Sequence, residues 1–180
     1  MLAQDSVQII QNFLRRIRYF WQNVFLSAVF VYGISFYYRL QMQTVPIFSP
    51  SLRIYNWISF IIALGLAIYI FQMKRKYFRA QYYETILKKL FSADTQIRET
   101  ELTRKFTTHM GSKMKQVWLL ALLLILVGVI YYWLTKDAWN MHVYFIVGLY
   151  SLVINYPRRD MLNIALDLIK EIFPGQPAQN

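Results

Sequence analysis

Residues 117–134 read VWLLALLLILVGVIYYWL, and this stretch decides the fold. Twelve of its residues are Leu, Ile or Val, and its only side-chain hydroxyls belong to Tyr131 and Tyr132. A helix of that length rises about 27 Å, close to the thickness of the hydrocarbon layer of a bilayer. A soluble helix this apolar would need cover on every side, which a chain of 180 residues can hardly supply. The stretch therefore predicts a membrane-spanning helix.

Three further apolar stretches have the same character. The four expected spans are 19–38, 54–71, 117–134 and 138–156. Pro46 and Pro50 mark 39–53 as a loop, whereas only three residues separate the last two spans. Because short connections join antiparallel neighbours, we expect two transmembrane hairpins, at 19–73 and 116–156. The predicted fold is an all-α integral membrane protein with four transmembrane helices as two hairpins.

Three segments outside the hairpins are expected to form amphipathic cytoplasmic helices. They are 1–18, 74–115 and 157–180. The first is basic, and Asp5 or Ser6 is its expected helix cap. In the last, apolar residues between Met161 and Phe173 recur at the i, i+3, i+4, i+7 spacing of a one-sided apolar helix. We predict that this tail helix presents its apolar side to lipid or to a partner.

The central segment is expected to hold two helices. Residues 74–91 place apolar side chains four apart on a basic helix, which predicts a helix lying along the membrane surface. Residues 95–109 are polar enough to form either a solvated helix or one that binds a partner. Gly111 is the expected end of that second helix, before the third span begins.

Lysine and arginine are distributed unevenly, and this predicts the orientation. The three outer segments hold 3, 11 and 3 of these residues, against only Arg39, Arg53 and Lys136 near the opposite connections. The positive-inside rule then places both termini on the cytoplasmic side of a bacterial inner membrane, or on the matrix side of a mitochondrial inner membrane. Nine residues beside the spans are the expected contacts with anionic lipid headgroups or a partner: Arg15, Arg16, Arg18, Lys74, Arg75, Lys76, Arg79, Arg158 and Arg159. This arrangement accounts for the net charge of +11 without nucleic acid.

Reactive groups are scarce in the sequence. The four spans contain no Asp, Glu, Lys or Arg, which disfavours active transport, and the chain has no cysteine. His142 is the one candidate to ligate a haem or chlorophyll, but His109 falls in the central segment and cannot supply a second intramembrane ligand. An interfacial polar role is favoured for His142. No catalytic motif, metal site or cofactor is expected.

Each span holds a single glycine, at Gly33, Gly65, Gly128 or Gly148. Small residues allow helix backbones to approach closely in a membrane, so these four are the expected helix-packing positions. The aromatic residues cluster at the span ends, where membrane-interface belts place them.

The two halves of the chain resemble each other weakly. Ile86–Phe91 is similar in pattern to Leu168–Phe173, and Tyr77–Arg79 is similar to Tyr156–Arg158. The two matches require different offsets. Two independent amphipathic helices are therefore favoured over a duplication.

These features favour a structural role over a chemical one. The leading interpretation is a non-catalytic accessory, assembly or interaction subunit of a larger membrane complex, which contacts other membrane subunits or copies of itself. The alternatives are a small transporter or channel component acting as an oligomer, and a membrane-embedded enzyme or a cofactor- or lipid-binding protein. A toxin-immunity or regulatory protein is a further interpretation.

Overall fold

The structure, a computed structural model, is all-helical over the residues it describes, which are 2–42, 50–93, 97–158 and 160–173. Within those ranges there are six helices and no strand. The helices are α1 (Leu2–Met42), α2 (Pro50–Tyr77), α3 (Ala80–Ala93), α4 (Glu99–Thr135), α5 (Ala138–Ile154) and α6 (Asp160–Ile172). The all-α prediction is confirmed.

Two of these helices are long and apolar enough to cross a membrane. They are α2, from Arg53 onward, and α4. Helix α5 is apolar but has 17 residues. Helix α1 contains the predicted span 19–38 but is not one of the two, because polar residues on both sides of its apolar middle, among them Asn23 and Arg39, lower its mean hydropathy.

The chain divides into two compact units that differ in charge. The apolar unit consists of Trp21–Gln72 and Gln116–Tyr156, and the charged unit consists of Met1–Phe20, Met73–Lys115 and Pro157–Asn180. Of the 20 basic and 9 acidic residues, all belong to the charged unit except Arg39, Arg53, Lys136 and Asp137. The three outer segments expected from the sequence therefore assemble into one unit.

The core of the charged unit is built from the first part of α1, α3, the first part of α4, and α6. Its buried residues are Ile10, Leu14, Tyr83, Leu87, Ile97, Leu102, Phe106, Met110, Ala165 and Ile169. Leu87 of α3 and Ile169 of α6 are both 0% exposed. The predictions of a surface helix at 74–91 and of a solvated or partner-binding helix at 95–109 are wrong in this respect, because the chain itself covers both apolar faces. The prediction that the tail helix presents its apolar side to lipid or to a partner is wrong for the same reason, because Ala165 and Ile169 of α6 are buried in this core.

Helices α3 and α6 present matching positions to this core. Tyr83, Leu87 and Phe91 correspond, at one constant offset, to Ala165, Ile169 and Phe173. The Phe91 and Phe173 rings meet edge to face, with centroids 5.6 Å apart. Phe91 and Phe173, which the sequence similarity paired, are thus in contact.

Several predicted helix ends differ from those of the structure. Helix α1 already includes Leu2, and Ser6 is 0% exposed inside it, so neither Asp5 nor Ser6 is its cap. Helix α2 begins at Pro50 because a proline in a first turn loses no hydrogen bond. It continues to Tyr77, so the basic residues at 74–76 end α2 and do not begin a separate surface helix. Pro46 lies outside the described residues.

Gly111 does not end a helix, because α4 runs through it without a break. A Cβ atom at this position would lie 2.9 Å from Cε2 of Phe13 and 3.7 Å from Cδ1 of Ile17. Glycine costs a helix interior only about 1 kcal/mol relative to alanine, and the contact with α1 offsets that cost. The residue therefore serves close packing in the charged unit.

A two-residue connection joins α4 to α5 in the apolar unit. Lys136 has a φ of 61°, a left-handed conformation that is uncommon for a side chain of this kind. Its ammonium group lies 4.7 Å from the ring centre of Trp133 and 5.2 Å from that of Tyr38, and these cation–π contacts help to hold the turn. Asp137 caps α5 by accepting a hydrogen bond from the backbone N–H of Trp139 at 3.0 Å.

The helices of the apolar unit alternate in direction. Trp21 of α1 donates to the carbonyl of Leu152, and Trp118 of α4 donates to the carbonyl of Asn155, so the starts of both α1 and α4 within this unit lie beside the end of α5. Asn140 of α5 donates to Asn56 at 3.0 Å, which places the first part of α2 beside the first part of α5. Helices α1 and α4 therefore run one way, and α2 and α5 run the other.

Candidate functional site

The four predicted packing glycines fall into two classes. At Gly128 a Cβ atom would lie 2.9 Å from Cβ of Tyr144, and at Gly148 it would overlap Cγ1 of Ile125 and lie 3.0 Å from the carbonyl oxygen of Ala121. These two glycines bring α4 and α5 together. At Gly33 and Gly65, a Cβ atom would have no described neighbour within 4 Å.

Polar side chains of the predicted spans link neighbouring helices. The Trp133 indole donates to Oγ of Ser35 at 3.1 Å, and Ser35 donates in turn to the carbonyl of Val31. Ser59 and Tyr144 share a hydrogen bond of 3.3 Å between their hydroxyls. Such bonds satisfy polar groups that would otherwise be costly in an apolar environment.

His142 has hydrogen-bond partners at both ring nitrogens. Nη1 of Arg39 donates to Nε2 at 2.7 Å, and the hydroxyl of Tyr32 lies 2.9 Å from Nδ1. Because a guanidinium only donates, Nε2 must carry the lone pair, and the proton of a neutral ring is then on Nδ1, from which it is donated to Tyr32. This polar linkage of α1 and α5 uses the nitrogen that a haem ligand would need.

The span-end aromatics are divided between the interior and the surface. Trp118 and Tyr132 are 0% exposed and belong to the packed interior, so the belt prediction is wrong for them. Trp139 is 74% exposed and Tyr37 is 64% exposed, which suits an interfacial belt. Sequence position alone cannot separate these two groups, because both stand near the same span ends.

All nine predicted contact residues belong to the charged unit. Most of their side chains are exposed. Arg18 donates from Nε to the carbonyl of Pro157 at 3.3 Å, which ties α1 to the segment before α6. Lys76 lies 5.3 Å from the centre of the neighbouring Tyr77 ring, and Arg159 lies outside the described residues.

A groove between α1 and α4 of the charged unit is lined by one of the nine predicted contact residues and by two further basic residues that were not predicted from the sequence. The groove has a volume of about 590 Å³. Its cations are Arg16, Arg104 and Lys115, and it also contains Asn12 and Ser112. We call it the basic groove.

Helical periodicity assembles the basic groove. On α4, Arg104, Thr108 and Ser112 recur every four residues and share one face, with Lys115 following three residues later. This spacing in the sequence could have predicted the shared face. The helix end expected at Gly111 instead separated Ser112 and Lys115 from Arg104 and Thr108. A Cβ atom at Gly111 would lie 2.9 Å from the Phe13 ring, and both residues line the groove, so an aromatic ring forms part of its floor.

A second cavity of about 840 Å³ lies beside the basic groove and shares Ile9, Arg104 and Thr108 with it. Glu101 and Lys105 line it and form a salt bridge of 2.9 Å on consecutive turns of α4. It is therefore less basic than its neighbour.

His109 also lines this second cavity. Its Nε2 lies 3.0 Å from the hydroxyl of Tyr82. Burial lowers the pKa of His109, and the nearby charge of Lys113 lowers that pKa further. The ring is therefore neutral near pH 7.

The described residues contain no group of three His, Asp or Glu side chains that could hold a metal ion. Comparisons with protein-family models, with curated proteins and with solved structures find no match for this chain.

Proposed function

We propose that the chain is an integral membrane protein that crosses the bilayer four times, and that it acts as a non-catalytic accessory, assembly or interaction subunit of a larger membrane complex. The observation that carries the proposal is the exposure of α2. Only 17% of its most apolar 18-residue window is buried. A core helix of a soluble protein would be mostly covered, so this surface requires lipid or membrane-protein neighbours.

The helix directions support four crossings. In a chain that crosses a bilayer four times, successive spans alternate, so the first and third run one way and the second and fourth the other. Contacts in the apolar unit give this same alternation for α1, α2, α4 and α5. The charges of that unit are few and lie at the loops or span ends, which is compatible with a hydrocarbon environment.

The distribution of polar groups supports a structural role over transport. Ser35, Asn56 and Ser59 bond to side chains of other helices, so these polar groups link helices together. Both cavities described above lie in the charged unit. A subunit that works by packing needs surfaces such as that of α2, and it needs no reactive group.

Photocrosslinking in native membranes tests this role. A photoreactive residue replacing Ile61, which is 63% exposed on α2, should give a discrete protein adduct, or an adduct with a second copy of the chain. The same residue replacing Leu124, which is 1% exposed, should react only within the chain. A protein that gives only lipid adducts at Ile61, and that carries a solute across vesicles until Asn56→Ala abolishes the flux, would be a transporter and not a structural subunit.

A further inference from the structure

The basic groove has the chemistry of a phosphate site. Arg16 of α1 faces it together with Arg104 and Lys115 of α4, and none of its described lining residues is acidic. We propose that this groove binds the phosphate group of a phosphate ester, with the ester's apolar part against the Phe13 side. This goes beyond the structural role proposed above, because it assigns a ligand to the charged unit.

The groove cations have no acidic partner among the described residues, whereas some lysines of the same unit do. Lys88 pairs with Glu84 and Lys105 pairs with Glu101. Among the described residues, no ion pair engages Arg16, Arg104 or Lys115. Guanidinium groups form paired, charge-assisted hydrogen bonds to phosphate oxygens, which suits two arginines on facing helices.

Neutral donors accompany the charges. The hydroxyl hydrogens of Thr107 and Thr108 are used within α4, in bonds to backbone carbonyls. Asn12 and Ser112 are the neutral side chains that remain to donate to a ligand. Charged and neutral donors thus surround the groove from both helices.

The size and floor of the groove favour an ester over a bare ion. Its volume of about 590 Å³ is within the usual range of about 300–1,000 Å³ for small-molecule sites. Phe13 and Ile9, which are both partly exposed, supply apolar surface beside the cations. Gly111 makes this possible, because a Cβ atom there would meet the Phe13 ring at 2.9 Å.

The test uses the full chain in phosphatidylcholine nanodiscs with and without phosphatidic acid. Native mass spectrometry counts the phosphatidic acid retained, and calorimetry measures the binding of inorganic phosphate. The double variant Arg16→Gln/Arg104→Gln should weaken phosphate binding by about tenfold or more, because it removes two charged donors. The control, Lys89→Gln/Arg98→Gln, loses the same charge at exposed positions outside both the groove and the nine predicted contact residues, and should bind like the unaltered chain.

The two arms distinguish the source of the phosphate. Retention of phosphatidic acid that only the groove variant loses supports a lipid headgroup. Binding of inorganic phosphate that only the groove variant loses supports a soluble phosphate ester. Equal losses in both double variants, or no binding in either arm, would overturn the proposal, and thermal unfolding of each variant verifies that it remains folded.

Discussion

At the scale of the residue, Tyr83 has an unusual environment. Its side chain is 2% exposed, and its hydroxyl has no hydrogen-bond partner within the described chain. Burial raises its pKa to about 12. Burial removes the water that would hydrate this hydroxyl, and no protein group replaces that water, so the unsatisfied hydroxyl destabilises the folded state.

Replacing this tyrosine should therefore not harm the protein. Tyr83→Phe keeps the edge-to-face contact with Phe106, whose centroid is 5.7 Å away, and removes the unsatisfied oxygen. We expect the free energy of unfolding to stay the same or to rise by up to about 1 kcal/mol, measured by thermal unfolding in detergent. A loss of more than about 1 kcal/mol would reveal a partner for the hydroxyl.

His109 gives the charged unit a pH dependence. Its pKa in the folded chain is lowered by burial, and further by Lys113, whereas an unfolded histidine titrates near about 6.5. As the pH falls below that value, the unfolded chain binds a proton that the folded chain resists, so stability is lost. The unaltered protein should therefore lose more thermal stability between about pH 7.5 and 5.5 than His109→Gln does.

His142 is present in both proteins, so the difference between their pH profiles isolates His109. Identical profiles would contradict the depressed pKa. Sequence alone indicated that His142 is a polar interfacial residue, but it gave no partner for either histidine. Tyr32 and Tyr82, which bond to them, are distant in sequence, so only the fold identifies them.

At the scale of the element, the glycines provide a matched comparison. Gly148→Leu should place a side chain against Ile125 and the Ala121 carbonyl, whereas a Cβ atom at Gly65 would have no described neighbour from another helix within 4 Å. We expect Gly148→Leu to cost about 1–3 kcal/mol or more, and Gly65→Leu to leave the folded monomer unchanged. Thermal unfolding of the two variants measures this difference.

The Gly65 variant also reports on assembly. A folded Gly65→Leu protein that no longer forms its complex would locate a partner surface on α2. Equal destabilisation of both variants would contradict the described packing of α4 on α5.

Helix α6 offers a second matched pair. Ile169 is 0% exposed in the core, whereas Ile164 is 42% exposed on the same helix. Ile169→Glu should lower the free energy of unfolding by about 3 kcal/mol or more, because it buries a carboxylate, and Ile164→Glu should have a small effect. If Ile164→Glu instead releases the helix from lipid vesicles while Ile169→Glu is tolerated, α6 lies on the membrane and does not pack on α3.

The sequence predicted which segments are helical better than it predicted where they end. The amphipathic pattern of α6 was sufficient to identify it within a residue at each end. A helix end was predicted at Gly111 because glycine often follows the last residue of a helix. The buried residues that recur every four positions nevertheless continue across it, at Leu102, Phe106, Met110 and Met114. Glycine terminates some helices and permits close packing in others, and only the neighbour distinguishes the two.

At the scale of the whole molecule, the distribution of charged residues along the chain follows the division into two compact units. The sequence predicted apolar spans and basic segments, but not that 1–20, 73–115 and 157–180 form a common core. That assembly depends on contacts such as the one between the Phe91 and Phe173 rings, which are far apart in the chain. Periodicity shows that each helix has an apolar face, but it does not identify what covers the face.

The central claim is that the apolar unit spans a bilayer four times with both termini on one side. Because the chain has no cysteine, single cysteines can be introduced without a background, at Ser49, Ser92 and Asn180. A membrane-impermeant maleimide applied to sealed right-side-out vesicles should label Ser49→Cys only, and applied to inverted vesicles it should label Ser92→Cys and Asn180→Cys only. Labelling of Ser49→Cys and Ser92→Cys from the same side, or of all three from both sides, would contradict the account.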